Sequence, residues 1–373
     1  MKEINDIIKS YEKAKNNNLK VALATVVKVI GSSYRQAGAR MLITEEGWIT
    51  GAISGGCLEG DALKKALLCI ADNQPKIVTY DTTDDDDAKF GVQLGCNGII
   101  HVLFEPIAFD DEKNAIEILK KAVEKRENAI LVTVYSLKNK QHQIGTCWFK
   151  QNDFNLTTQG LDTNPTLKTN IQEAVQKAES ESKSNTFDCE VEGITHSVFV
   201  EFRTPPVQLI IGGAGNDAQP LAAMSDLLGW DTVVIDGRTN YATTERFPSC
   251  ALKISQPEKA FDNLTIDNHT AVVLMSHNYN YDLDMMKYLV FSTCRYIGIL
   301  GPKKKLIKMY DELAENGIHL TDAQKERIYS PIGFDIGAET SEEIALSIMA
   351  EIQAFMMNKN GSPLRIKSET IHA

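Results

Sequence analysis

The stretch 208–218 constrains this chain more than any other, because a short apolar strand runs directly into Gly213-Ala-Gly-Asn-Asp-Ala218 and then into a helical pattern. Strand, G-x-G-x-x-A turn and helix, in that order, open a dinucleotide-binding βαβ unit. Gly213 and Gly215 keep the turn tight and, with Asn216, let main-chain N–H groups approach a diphosphate, while the helix start adds partial positive charge. Asp236 follows 23 residues after Gly213, at the end of the next strand pattern, where a carboxylate can accept hydrogen bonds from a ribose diol. Two residues complicate a simple NAD reading. Asp217 beside the helix start repels a diphosphate, and Arg238 next to Asp236 favours an additional phosphate. The bland alternative is a turn whose glycines serve only close strand–helix packing.

From this anchor the alternation continues. Strand patterns at 208–211, 232–235, 271–275 and 296–300, separated by helical stretches such as 218–228, predict a doubly wound parallel sheet. Thr340 stands three residues before Glu343 as a capping box, and Ile344, Ala345, Ile348 and Ile352 share one face, so a long helix at 340–357 closes the unit. Upstream, Thr204-Pro205-Pro206 is a stiff, donor-poor connector. Two domains follow, 1–203 and 204–373. The first shows a helical pattern at 4–11, strands at 21–30, 39–44, 48–50, 77–80, 99–104, 129–136, 144–149 and 197–202, and helices at 57–70 and 112–126. Residues 151–184 are poor in apolar side chains and are expected to form a peripheral excursion. The fold class is α/β: a mixed α+β domain, then a Rossmann-like doubly wound parallel-sheet domain.

Chemistry-bearing residues gather in the loops of both domains. Ser276-His277-Asn278 ends the strand 271–275, where ligands bind in such sheets, so His277 is a candidate proton donor with Asp282 orienting it; an Asx-rich turn with Asp282 as the helix cap explains the same residues equally. Lys303, Lys304 and Lys305 follow the strand 296–300, and at least two of them fit a solvated helix start. The loop 330–337 has glycines that suit either a ligand approach or a plain turn.

Seven glycines fall between 31 and 60. The stretch 31–40 adds Arg35 and Arg40, which suit a phosphate-bearing ligand. Next, Ser54-Gly55-Gly56-Cys57-Leu58-Glu59 puts a thiol at a helix start, a position that favours the thiolate, and Gly55, Gly56 and Glu59 are candidate ligand contacts. Cys96 lies in a second glycine-rich segment. The remaining cysteines, 69, 147, 189, 250 and 294, read as small buried hydrophobes. No Cys-His-Asn hydrolase pattern accompanies Cys57 or Cys96, which favours ligand contact or sulfur handling over proteolysis.

Composition removes whole classes of function. With 373 residues and a formal net charge of −11, the chain has no basic excess for phosphate backbones or anionic membranes. Its apolar runs fall far short of the roughly 20 residues of a membrane span. The opening residues resemble no signal peptide, so a cytoplasmic location is expected. Seven cysteines with no C-x-x-C pair fit reduced thiols and give no zinc site, and no metal ligand is assigned.

Taken together, GSSYRQAGARMLI, GAISGGCLEGDAL, YDTTDDDD with LGCNG, GAGNDAQPL, VVIDGR, SHNYNYD, YIGILGPKKK and SPIGFDIGAETSEEIA resemble the xanthine dehydrogenase accessory proteins, the XdhC/CoxI maturation factors of molybdenum hydroxylases. The resemblance implies a protein that binds molybdenum cofactor, as molybdopterin or its dinucleotide form, and helps insert the sulfurated form into a xanthine dehydrogenase-type apo-enzyme. It implies a chaperone without turnover of its own, a cysteine desulfurase as a further partner and, by analogy, a homodimer. The competing class is an NAD(P)-dependent oxidoreductase with Asp236 on the ribose and His277 as acid or base. A third is an interaction scaffold with a vestigial nucleotide site. The glycine loops of both domains are expected to face one pocket for a phosphorylated heterocycle.

Overall fold

The structure is a computed structural model that describes residues 2–82, 98–140 and 143–368. The chain divides into two compact units, one of residues 3–205 and one from residue 206 onward together with the first two residues.

The first unit opens with α1 (Lys2–Asn16) and is built on two antiparallel sheets. The first sheet holds β1 (Val21–Gly31), β2 (Arg40–Thr44), β3 (Ile49–Gly51), β4 (Lys76–Asp81) and β5 (Gly98–Ile107), in the order β3-β2-β1-β5-β4, with α2 (Glu59–Asp72) between β3 and β4 in sequence. After α3 (Ala115–Glu124) come β6 (Ala129–Tyr135), β7 (Gly145–Gln151) and β8 (Phe154–Thr157), then α4 (Gln159–Asp162), α5 (Pro165–Glu181), β9 (Asn185–Val191) and β10 (Ile194–Arg203). The second sheet runs β8-β7-β6-β10-β9.

Period-two alternation assigns each strand face. On β1, Ala22, Ala24 and Val26 pack with Ala62, Ala66 and Cys69 of α2, whereas Val27 joins Leu103, Tyr135 and Phe199 between the two sheets. On β6, Ile130, Val132 and Val134 pack with Leu167, Ile171 and Val175 of α5. Helix, sheet, sheet and helix therefore stack as four layers.

This arrangement corrects the expectation for 151–184. Far from a peripheral excursion, the segment supplies α5, and Leu167, Ile171 and Ala178 are fully buried beneath it. Only four apolar residues carry that face, but they recur at helical spacing, and spacing decides which side is covered.

The second unit is a six-stranded sheet. Its strands are β11 (Gln208–Gly212), β12 (Asp231–Asp236), β13 (Ala251–Ile254), β14 (Thr270–Leu274), β15 (Tyr296–Ile299) and β16 (Ile328–Tyr329). All pairings are parallel, in the order β13-β12-β11-β14-β15-β16. Numbered within the unit this is 3-2-1-4-5-6, and the crevice opens where the order reverses, between β11 and β14. The helices are α6 (Ala218–Leu228), α7 (Tyr279–Leu289), α8 (Lys303–Glu315), α9 (Asp322–Lys325) and α10 (Ser341–Met356). Leu209 and Ile211 pack on one sheet face with residues of α6 and α10, and Ile210 on the other with residues of α7 and α8. The α/β class and the Rossmann-like unit are as the sequence indicates. Thr340 and Glu343 form the expected capping box. No helix of the described residues is long and apolar enough to cross a membrane.

Candidate functional site

The crevice of the parallel sheet takes its shape from the turn after β11. Gly213 has φ +118°, and a Cβ there would lie 2.4 Å from the Cα of Ser276, so no other residue fits that turn without moving the next strand end. The cleft beside it, about 330 Å³, is lined by Asp236, Gly237, Arg238, Gln256, Ser276, His277, Asn278 and Tyr281.

Asp236 is at the expected strand end, and its carboxylate is fully engaged. Oδ2 accepts from the amide of Ala214 at 2.7 Å and from Arg238 Nη2 at 2.8 Å. Oδ1 accepts from the Arg238 amide at 2.8 Å and from its Nε at 2.9 Å. Burial opposes the charged form, but these donors outweigh it and hold the carboxyl below the usual carboxylate range. The Arg238 guanidinium also lies 3.9 Å from the centre of the Tyr241 ring.

Sequence reasoning missed Arg246 and Tyr241. Arg246 donates to the carbonyl oxygens of Ala214 and Tyr241 and, at 2.9 Å, to Oδ1 of Asn216, so it braces the glycine turn from the loop between β12 and β13. An aromatic residue between two arginines in a glycine-poor loop was the available signal.

At the end of β14 the turn 276–278 is held from beneath. Asp282, fully buried, accepts from the Ser276 hydroxyl at 2.6 Å and receives Lys305 Nζ at 2.7 Å. Within that turn His277 has φ +57°, the left-handed region that non-glycine residues seldom occupy. His277 Nε2 lies 2.7 Å from Asp217 Oδ2, so the residue that orients the imidazole is Asp217 at the start of α6, whereas Asp282 serves the turn. The cap of α7 is Asn278, whose side chain accepts from the amide of Tyr281, and not Asp282. Of the three lysines, Lys303 and Lys304 are exposed and Lys305 is the one built into the unit. The 330–337 loop packs on α10: Gly333 donates its amide to Glu351, and Ser347 donates to the carbonyl of Phe334. It is a packing turn.

In the first unit, Ser54 organises the thiol loop. Its Oγ accepts from the amides of Gly56 and Leu58 and donates to Glu59, which also accepts from the amides of Ile53 and Ser54. Burial opposes ionisation of Glu59, but the Ser54 and Ile53 donors prevail and lower its pKa. Glu59 is thus spent within the loop. Gly55 lies against the Tyr34 ring, Gly56 has φ +114° with open space around it, and Cys57 is exposed with Sγ 3.5 Å from Ser54 Oγ. Cys96 lies outside the described residues. The two arginines differ in fate. Arg35 pairs with Glu3, while Arg40 is 1% exposed and donates to both oxygens of Glu201, out of a ligand's reach. Of the other described cysteines, Cys69, Cys147 and Cys294 are buried as expected, whereas Cys189 and Cys250 are only half-buried, and burial pushes the thiols of Cys69 and Cys294 up to about 12. Among the described residues no group of three or more His, Cys, Asp or Glu could hold a metal ion.

Comparison with known proteins follows the same division of the chain. Residues 209–352 match the XdhC Rossmann domain, and residues 14–81 match the XdhC and CoxI family. A Bacillus subtilis (strain 168) protein, named as a probable xanthine dehydrogenase subunit, is 31% identical over 332 residues, 88% of this chain and 91% of that protein. The molybdenum cofactor insertion chaperone PaoD of Escherichia coli (strain K12) is 23% identical over 337 residues, 90% of this chain and 84% of its own length. A crystal structure described as a xanthine dehydrogenase from Bacillus halodurans matches with a TM-score of 0.74 and 28% identity, covering 95% of this chain and 97% of that one. A glycine turn at a parallel-sheet switch point, an ordered thiol loop upstream of it, and near full-length similarity to these proteins have one common explanation: the chain belongs to the XdhC and CoxI family.

Proposed function

We propose that this chain is a maturation factor that holds molybdenum cofactor as cargo and helps insert its sulfurated form into a xanthine dehydrogenase-type hydroxylase. The observation that carries the reading is a nucleotide-type cleft whose diol-reading carboxylate is already occupied by Ala214 and Arg238. A hydride-transfer enzyme holding NAD by the ribose needs that carboxylate free. The naming of a relative that matches 90% of this chain as a molybdenum cofactor insertion chaperone supports the same direction.

The residues present fit the phosphate of such a cargo. The N-terminus of α6 offers partial positive charge, Gly213 admits close main-chain approach, and Arg238 lines the cleft. When bound, the cargo carries the molybdenum–dithiolene centre that the recipient uses. The chain's part is to bind and orient it, and Cys57 presents an exposed thiol for sulfur handling.

Anaerobic titration of the purified chain with molybdenum cofactor and with NADH tests the proposal. Tight NADH binding with no uptake of molybdenum cofactor overturns it. For the thiols, Cys57→Ala or Cys96→Ala is expected to leave the melting temperature unchanged while impairing activation of an apo-hydroxylase. Full activation by both variants removes the thiol role.

A further inference from the structure

We infer that Arg238, rather than Asp236, is the specificity-determining residue of the parallel-sheet cleft, and that it selects a phosphoryl group over a ribose cis-diol. The inference rests on reading that cleft as the ligand site and adds the chemical class it takes. A carboxylate has about four acceptor positions. Asp236 fills four, with the amides of Ala214 and Arg238 and with Nε and Nη2 of Arg238. A diol would find no acceptor there unless Arg238 withdrew.

Arg238 itself is held in place. Two of its side-chain nitrogens are fixed on Asp236 and its guanidinium carbon lies 3.9 Å from the centre of the Tyr241 ring, so little side-chain freedom is left to lose on binding. Nη1 has no hydrogen-bond partner among the described residues, and the side chain is 48% exposed at the cleft. A planar guanidinium with an available edge is matched to a phosphoryl oxygen. Charge balance agrees. The guanidinium groups of Arg238 and Arg246 match the carboxylates of Asp236 and Asp217 in formal charge. The start of α6 contributes partial positive charge to the same place.

NADPH and NADH are suitable probes because they differ only in the 2′-phosphate, and inorganic pyrophosphate carries phosphoryl groups without a diol. Calorimetric titration of the full chain is expected to show pyrophosphate binding and a preference for NADPH over NADH of about tenfold or more, the size of one charge-assisted contact. In Arg238→Gln both the preference and pyrophosphate binding fall by about the same factor, and Arg238→Lys, which keeps charge without the fork, recovers only part. Equal affinity for NADH and NADPH, no binding of either phosphoryl probe, or an Arg238→Gln variant that melts normally and retains the preference would falsify the inference. The same samples titrated with molybdenum cofactor separate the two proposals. Wild type that prefers NADPH but takes up no molybdenum cofactor sinks the maturation reading alone, whereas uptake with no phosphoryl preference sinks this one alone.

Discussion

Arg35 and Arg40 stand five residues apart in one glycine-rich stretch and do different work. Arg40 begins β2 and lies between the two sheets, where Glu201 takes both of its terminal nitrogens and the carbonyl of Gly38 takes one of them as well. Removing Arg40 leaves Glu201 buried with Arg203 as its remaining cation, and the cost approaches the roughly 3–5 kcal/mol of a fully broken buried pair only as far as Arg203 fails to compensate. Arg35 and Glu3 are both partly exposed, and such pairs contribute about 0.2–1 kcal/mol. Urea unfolding is therefore expected to show Arg40→Gln as severely destabilised and Arg35→Gln as close to wild type. Similar midpoints for the two variants would refute the assignment. Nothing local in the sequence separates these residues, because what distinguishes them is a partner 161 positions away. The same limit explains Asp236. Its strand-end position was legible from the glycine turn, but its engagement by Arg238 depends on the conformation of the loop that follows.

Helices and strands were legible where burial imposes a strong period. Central parallel strands are covered on both faces and appear as unbroken apolar runs, as in β11 and β14. The capping box of α10 marked its start to the residue. The failure at α5 has a physical cause: only four side chains of a 17-residue helix are buried, which gives a low apolar average, although Leu167, Ile171, Val175 and Ala178 form one continuous stripe. The edge strand β9 was missed for a related reason: its inward positions alternate with exposed polar ones but only Val191 is fully covered, so its apolar content is low. If α5 is a structural layer, Ile171→Ala opens a cavity under the second sheet and costs about 2–5 kcal/mol. Lys177→Ala, on the exposed face, is a matched control expected to stay within about 0.5 kcal/mol of wild type. Denaturant midpoints measured side by side decide the point, and an Ile171→Ala midpoint equal to the control returns the segment to the periphery.

For the molecule as a whole, a net charge of −11 describes its surface, while its response to pH depends on a few carboxyls that folding perturbs in opposite directions. Burial raises the pKa of Glu105, despite the Thr146 amide and hydroxyl that donate to it and the nearby Arg40. Asp236 is also desolvated, but Arg238 and the Ala214 amide bring its pKa below the usual range. Linkage then fixes the signs. A depressed carboxyl contributes stability above its unfolded value and loses it as pH falls through the folded value. A raised carboxyl favours the fold when protonated, and that advantage is lost as pH rises through its folded value. Asp236→Asn is thus expected to be less stable than wild type at about pH 8 and nearly equal to it at about pH 2. Glu105→Gln, which cannot ionise, should gain on wild type as pH rises from about 3 to about 8. Unfolding free energies of the three proteins across that range give two difference curves of opposite slope. Curves that run flat would mean that neither carboxyl couples its proton to folding, and the electrostatic account of both the inter-sheet layer and the glycine-turn site would have to be abandoned.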